Sequence, residues 1–89
     1  MSRIVILDPG HGGHDSGAKG AIFLEKDLNL MIARKVREIL EEWDWTVYMT
    51  RDEDIFIPLK GRADFANSIA RKHKNAQICF VSCHFNAFT

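Results

Sequence analysis

No apolar run in this chain approaches the ~20 residues that a membrane span requires. The run "IVIL", Ile4–Leu7, is also too short for a signal-peptide core, and no A-x-A-like cleavage site follows it. The chain as written therefore reads as one made in the cytoplasm, or as a domain excised from something longer. Charge of one sign is lacking as well. Twelve basic and twelve acidic residues cancel, which removes the electrostatic footprint of a nucleic-acid partner or an anionic membrane surface. Cysteine is sparse. Cys79 and Cys83 lie four apart in a strand-like segment, so their backbones are about 13 Å apart, beyond the ~7 Å reach of a disulfide. They read as two buried free thiols. Repeats, low-complexity tracts and linkers are absent, and 89 residues suit one small domain.

What is present alternates. "RIVILD", residues 3–8, reads as a fully apolar strand, and residues 9–20 hold five of the six glycines and one proline, which makes them a loop. From Glu25 to Trp43 apolar residues recur at helical spacing: Leu28, Met31, Ile32, Val36, Ile39, Leu40 and Trp43. Glu25 and Asp27 open that helix where its dipole favours acids. "WTVYMT", 45–50, is β-branched and aromatic and reads as a second strand. A second helix follows Pro58, with Leu59, Arg62, Ala63, Ala66, Ile69 and Ala70 as its inner face and the cations of "RKHKN" at its end. A third strand lies within residues 76–88. The order β-α-β-α-β predicts an α/β fold with a parallel sheet, right-handed crossovers and strand order 2-1-3. Ligands bind such sheets at the carboxyl ends of the strands, where the order reverses.

That edge collects a chemical constellation. "DPGHGGHDSG" places His11 at the tip of the first strand, "SCHFNA" places His84 at the end of the third, and Glu25 opens the helix that returns from the first loop. Two imidazoles and a carboxylate with a fourth position open match a catalytic zinc site, and other divalent metals suit the same donors. Gly10, Gly12 and Gly13 let the backbone turn tightly around His11. A phosphate loop fits poorly: G-x-G-x-x-G fails at Asp15, and no Gly-Lys-Ser/Thr is present. Taken singly, each residue has a plainer reading. A histidine after a strand is more commonly a surface or capping group, and Glu25 suits a helix start. His14 reads as a solvated loop histidine or a substrate-facing group, and His73 as a helix-end cation. Trp43 and Trp45 read as packing residues, and Arg51 and Arg62 as surface or salt-bridging residues. The topology lifts the triple above its parts.

With those residues in view, the chain resembles the catalytic domain of zinc-dependent N-acetylmuramoyl-L-alanine amidases of the Amidase_3 type, found in bacterial autolysins and phage endolysins. "IVILDPGHGG", "EKDLNL" and "SCHFNA" match three metal-binding segments of that family in order, and "TRDED" and "LKGRADFAN" match intervening ones. The resemblance implies a three-layer α/β/α domain, a Zn2+ cofactor and hydrolysis of the amide between N-acetylmuramic acid and L-alanine in peptidoglycan at the bacterial cell wall. It implies His11, Glu25 and His84 as metal ligands, with Asn86 as a residue that shapes the site; His14, read from its place in the first loop, is the other candidate for shaping it.

The resemblance also implies a domain about twice this long, of which residues 1–89 are the N-terminal portion. The general-base glutamate belongs to a later segment with no match here, so the catalytic base is unknown and turnover is expected to be impaired. The competing function is a metal-holding, non-catalytic fragment that binds muropeptide or a partner chain; a third is a folding fragment without activity. An exposed sheet edge predicts homo-oligomers or strand exchange. Absence of a leader and the two thiols lean toward a phage lysin or an excised autolysin domain.

Overall fold

The computed structural model describes residues 2–85. Five elements follow in order: β1 (Arg3–Pro9), α1 (Glu25–Glu42), β2 (Thr46–Met49), α2 (Leu59–Lys72) and β3 (Gln77–Cys83). The three strands are parallel in the order β2-β1-β3, as the alternation predicts. Going from β1 to β2 and then back past β1 to β3 reverses direction. Right-handed crossovers then place the two helices on opposite faces of the sheet.

β1 is the central strand, and its alternating side chains build both halves of the core. Ile4 and Ile6 pack with Ile69 of α2, with Tyr48, Phe65, Ala66 and Ile78 around them. Val5 and Leu7 pack with Ala33 of α1, with Val36, Leu40, Trp45, Val47 and Met49 around them. The result is a three-layer α/β/α arrangement. α1 ends where Asp44 adopts a left-handed conformation with φ 63°, and the Trp45 N–H reaches back to the Leu40 carbonyl. α2 starts after Pro58, whose carbonyl accepts from Arg62 N–H, a start that needs no donor from proline.

The helix faces differ from expectation. α1 buries Glu25, Asn29, Leu30 and Ala33, while Met31, Ile32, Ile39 and Trp43 are exposed. The buried stripe steps by about four residues from Glu25 through Asn29 and Ala33, so Ala33, with Val36 and Leu40 beside it, meets the sheet while Met31, Ile32 and Ile39 turn away. Trp43 caps the helix at its far end and is 66% exposed. Trp45 packs as expected, with the Arg3 guanidinium 5.7 Å from its ring centroid. In α2 only Arg62 and Ile69 are fully buried; Ala63 and Ala70 are exposed and Leu59 is 86% exposed. The two thiols are free, but Cys79 is exposed and Cys83 half-buried. β3 is an edge strand in the described residues, and Phe80 and Val81 on it also face solvent. Burial raises the Cys83 thiol pKa, and Asp8 adds to the rise, which keeps that thiol protonated and unreactive.

Polar groups fill the core at the carboxyl end of β1. Asp8 Oδ1 accepts from Thr50 Oγ1 at 2.8 Å and from Arg62 Nη1 at 2.7 Å, and Oδ2 accepts from Ser82 Oγ at 2.8 Å. One carboxylate thus ties β1 to α2, β3 and the segment after β2. Burial alone would raise the Asp8 pKa, but the hydrogen bonds from Arg62, Thr50 and Ser82 outweigh it and hold the carboxyl below its usual range. Arg51 and Arg62 are therefore interior residues, 2% and 5% exposed; of the two expected roles, salt bridging describes Arg62 and surface exposure describes neither.

Removing Asp8 leaves a buried guanidinium without its counter-charge, a change worth about 3–5 kcal/mol. Asp8→Ala is expected to lower the urea midpoint sharply at pH 7. Because the folded pKa is depressed, the Asp8 contribution is present above the unfolded value of about 3.9 and fades as pH falls below it. Thermal unfolding of the parent chain from pH 7 to pH 3 should therefore show a steeper acid loss than that of Asp8→Ala.

Candidate metal centre

His11 stands at the tip of β1 in a left-handed conformation, φ 63°. A non-glycine residue there costs about 1–2 kcal/mol, so the surrounding structure must hold it. The loop closes on itself through paired backbone bonds between Gly12 and Asp15, at 2.8 and 3.0 Å. That turn brings Asp15 back to the ring, and His11 Nδ1 lies 2.9 Å from Asp15 Oδ2. A carboxylate only accepts, so Nδ1 carries the proton and Nε2 presents the ring's lone pair. The His11 and Gly17 N–H donors hold the Asp15 carboxyl below its usual range.

Glu25 is the first residue of α1 and is buried. Its Oε1 accepts from Ala18 N–H at 2.9 Å, and its Oε2 from Phe85 N–H at 3.1 Å and Asn29 Nδ2 at 3.3 Å. Burial works against the charge, but these donors and His84 outweigh it and lower the pKa to about 2. Glu25 is a carboxylate at any ordinary pH. His84, one residue past β3, places Nδ1 3.0 Å from Glu25 Oε2, while His11 Nε2 lies 3.2 Å from Glu25 Oε1. The two imidazole rings meet edge to face with centroids 5.2 Å apart.

Ligand atoms of His11, Glu25 and His84 all lie within 4.8 Å of one another. The donor set fits a divalent zinc-type ion: two imidazole nitrogens and one ionised carboxylate converge from three elements, and the far nitrogen of His11 is fixed by an acceptor. The expected triple is thus brought together. His14 stands apart from it, with its ring 4.5 Å from that of Phe56. Asn86 lies outside the described residues. Glu53 and Asp54 do not join the cluster; Asp54 accepts from Gly13 N–H and Lys26 Nζ, both at 2.8 Å, and pins the loop to α1.

Gly12 and Gly13 turn the backbone beside His11 with φ of 132° and 57°, as expected, and the loop glycines also make room for their neighbours. A Cβ on Gly10 would run into the His84 ring, and one on Gly12 into the Ile55 carbonyl. The glycine that faces His11 is Gly17. A Cβ there would sit 2.5 Å from His11 Cδ2 and 2.7 Å from Glu25 Oε1, at φ +66°. Clefts flank the triad on both sides. One, of about 290 Å³ beside Glu25, is walled by Ala18, Ala21, Ile22, Phe23, Leu28 and Phe85. The other, of about 300 Å³, touches His11 and His84 and runs between Asp15, Phe56 and Leu59.

The sequence profile of the N-acetylmuramoyl-L-alanine amidase family matches residues 5–89. The chain belongs to that family. It is 50% identical over 88 residues to the N-acetylmuramoyl-L-alanine amidase AmiC of Escherichia coli O6:H1, covering 97% of this chain and 20% of that protein. It is 44% identical over 88 residues to the endolysin of Bacillus phage SPP1, covering 98% of this chain and 30% of that protein. Among solved structures, the amidase AmiC2 of Nostoc punctiforme superposes with a TM-score of 0.81 at 44% identity, covering 96% of this chain and 44% of that one. The chain therefore spans less than half the length of each of these family members.

Several residues that shape the site escape a reading by motif. Asn29 lies four residues after Glu25, one helical turn along the same face, and that spacing was the available signal. Asp15 is four residues after His11, but in a loop this spacing carries no rule. Gly17 reads as one more loop glycine until its φ is known. Gly17→Ala is expected to shift the imidazole NMR signals of His11 and to lower the melting temperature by at least about 4 °C. Gly20→Ala, where a Cβ meets only the Phe23 carbonyl at 3.3 Å, should leave those signals in place.

Proposed function

We propose that residues 1–89 form the N-terminal portion of a zinc-dependent N-acetylmuramoyl-L-alanine amidase catalytic domain, acting on peptidoglycan at the bacterial cell wall. The observation that supports this reading is the convergence of His11, Glu25 and His84 donor atoms within 4.8 Å, in a chain of this family. His11 Nε2, a Glu25 carboxylate oxygen and a His84 nitrogen would hold the ion. When bound, the ion supplies Lewis-acid polarisation of the amide carbonyl and of water.

The chain's own groups define the rest. Asp15 keeps the proton on His11 Nδ1 and so keeps Nε2 free. Ala18 N–H, Asn29 Nδ2 and Phe85 N–H all donate to Glu25, which makes it a fixed ligand rather than a proton carrier. Asp8 and Asp15 are no better placed for proton transfer, since both oxygens of each already accept hydrogen bonds. Among the described residues, the carboxylates that line the two clefts beside the triad are Glu25, Asp8 and Asp15. The general base of the amide cleavage is accordingly assigned outside them, and Asn86 and His14 are assigned a part in shaping the substrate site.

Elemental analysis after dialysis is expected to find about one zinc per chain. His11→Ala, His84→Ala or Glu25→Ala should each abolish retention. Without a positioned base, hydrolysis of purified cell walls should run about 10²–10⁴ slower than that of a longer family member. Hydrolysis by the 89-residue chain at a longer protein's rate would overturn the assignment of the base. Retained zinc with no detectable cleavage would leave the metal-holding, non-catalytic binding reading.

The outer edge of β3, with Phe80 and Val81 beside it, is assigned to pairing with further chain, in isolation a second copy. Light scattering of the purified chain should show a dimer or larger species. A stable monomer would remove this element of the reading.

A further inference from the structure

Two buried guanidiniums surround the backbone that carries His11. Arg51 donates from Nε to the Pro9 carbonyl at 3.0 Å and from Nη2 to the Gly10 carbonyl at 2.9 Å. The same Nη2 reaches the Lys26 carbonyl in the first turn of α1 at 2.9 Å, and Nη1 the Glu53 carbonyl at 3.0 Å. Arg62 donates from Nη1 to the Pro9 carbonyl at 2.7 Å and from Nη2 to the His11 carbonyl at 2.8 Å. Its Nε takes the Ile57 carbonyl at 2.8 Å. The Pro9 carbonyl therefore meets both cations, the Gly10 carbonyl Arg51 and the His11 carbonyl Arg62, and Asn29 Nδ2 adds a second bond to the Gly10 carbonyl at 3.1 Å.

Stability alone gives no account of this arrangement. Arg62 has the Asp8 carboxylate, but Arg51 makes no ion pair among the described residues, and its four bonds all go to backbone carbonyls. Burying a cation costs several kcal/mol before compensation, and apolar packing of similar volume is commonly as stable. What a rigid five-donor fork does that an apolar group cannot do is fix the plane of each peptide it touches. Here those peptides lead into and out of His11, whose left-handed φ needs to be held. Through Lys26 the same fork sets the distance from that loop to the residue next to Glu25.

We infer that Arg51 and Arg62 are positioning residues for the metal centre. Their shared grip on the carbonyls of Pro9, Gly10 and His11, and on Lys26, holds two ligands from different elements at coordinating distance before any ion arrives. The inference rests on the metal reading above and adds that the site is preorganised by the arginines rather than assembled by the ion.

The test is zinc affinity of the 89-residue chain, measured by competition with a chromophoric chelator at a temperature where circular dichroism shows each variant folded. Arg51→Lys and Arg62→Lys keep the charge and lose the fork. Each is expected to weaken zinc binding about 10–100-fold, the usual consequence of disturbing groups behind the ligands. Ile69→Val, a core change remote from these carbonyls, controls for stability and should leave affinity unchanged. Parental affinity in both lysine variants, with His84→Ala abolishing binding, would overturn the inference and leave the metal reading intact. No zinc uptake by the parent chain would overturn both. Should the lysine variants not fold, ¹⁵N relaxation of the metal-free parent decides. Order parameters near 0.85 at Gly10, His11 and Gly12 are expected, and values below about 0.6 would show a loop that the arginines do not hold.

Discussion

The Asp8–Arg62 pair sits where every layer of the molecule meets. Asp8 lies next to last in the buried central strand, Arg62 projects from α2, and Thr50 and Ser82 bring in the segments after β2 and within β3. A charge buried this deeply persists only when each of its lone pairs has a donor. The network therefore constrains where β2, β3 and α2 can lie relative to β1. The loop bearing His11 begins two residues beyond Asp8, and the His11–Glu25–His84 cluster takes its geometry from that constraint.

A second constraint is set by how the helix bearing Glu25 packs. Glu25, Asn29 and Ala33 form one stripe against the sheet, although larger apolar residues are available on the neighbouring face. The presence of a carboxylate and an amide in that stripe costs burial of apolar area. It is matched by hydrogen bonds from Ala18, Phe85 and Asn29 onto one carboxylate. Met31, Ile32 and Ile39 are left exposed as a consequence. Hydrogen bonding of the buried Glu25 carboxylate, not maximal apolar burial, marks the face that α1 turns to the sheet.

Much of this was legible in the residues. Element order and strand order follow from hydrophobic periodicity, and the convergence of His11, Glu25 and His84 follows from their placement at element ends. The groups behind the ligands were less so. Arg62 stood out as a cation on an apolar helix face, and Asp8 as an acid ending an apolar strand, but nothing along the chain says that they meet. Arg51 and Asp15 carry no spacing rule, since both lie outside regular elements. The exposure of Cys79 likewise depends on which strand ends at the sheet edge and how far α1 reaches across it.

Local sequence determined what is set by nearest neighbours: which segments are strands or helices, where glycines allow turns, and which donors stand at the tips. The chain order then confined the topology through crossover handedness. Tertiary structure alone decided helix rotation, the burial of Arg51 and Arg62, and the role of Gly17 between His11 and Glu25. These depend on contacts between residues up to 74 apart in the chain, as between Asp8 and Ser82. Such contacts are chosen by satisfying buried charges in three dimensions, a condition that no one-dimensional pattern records.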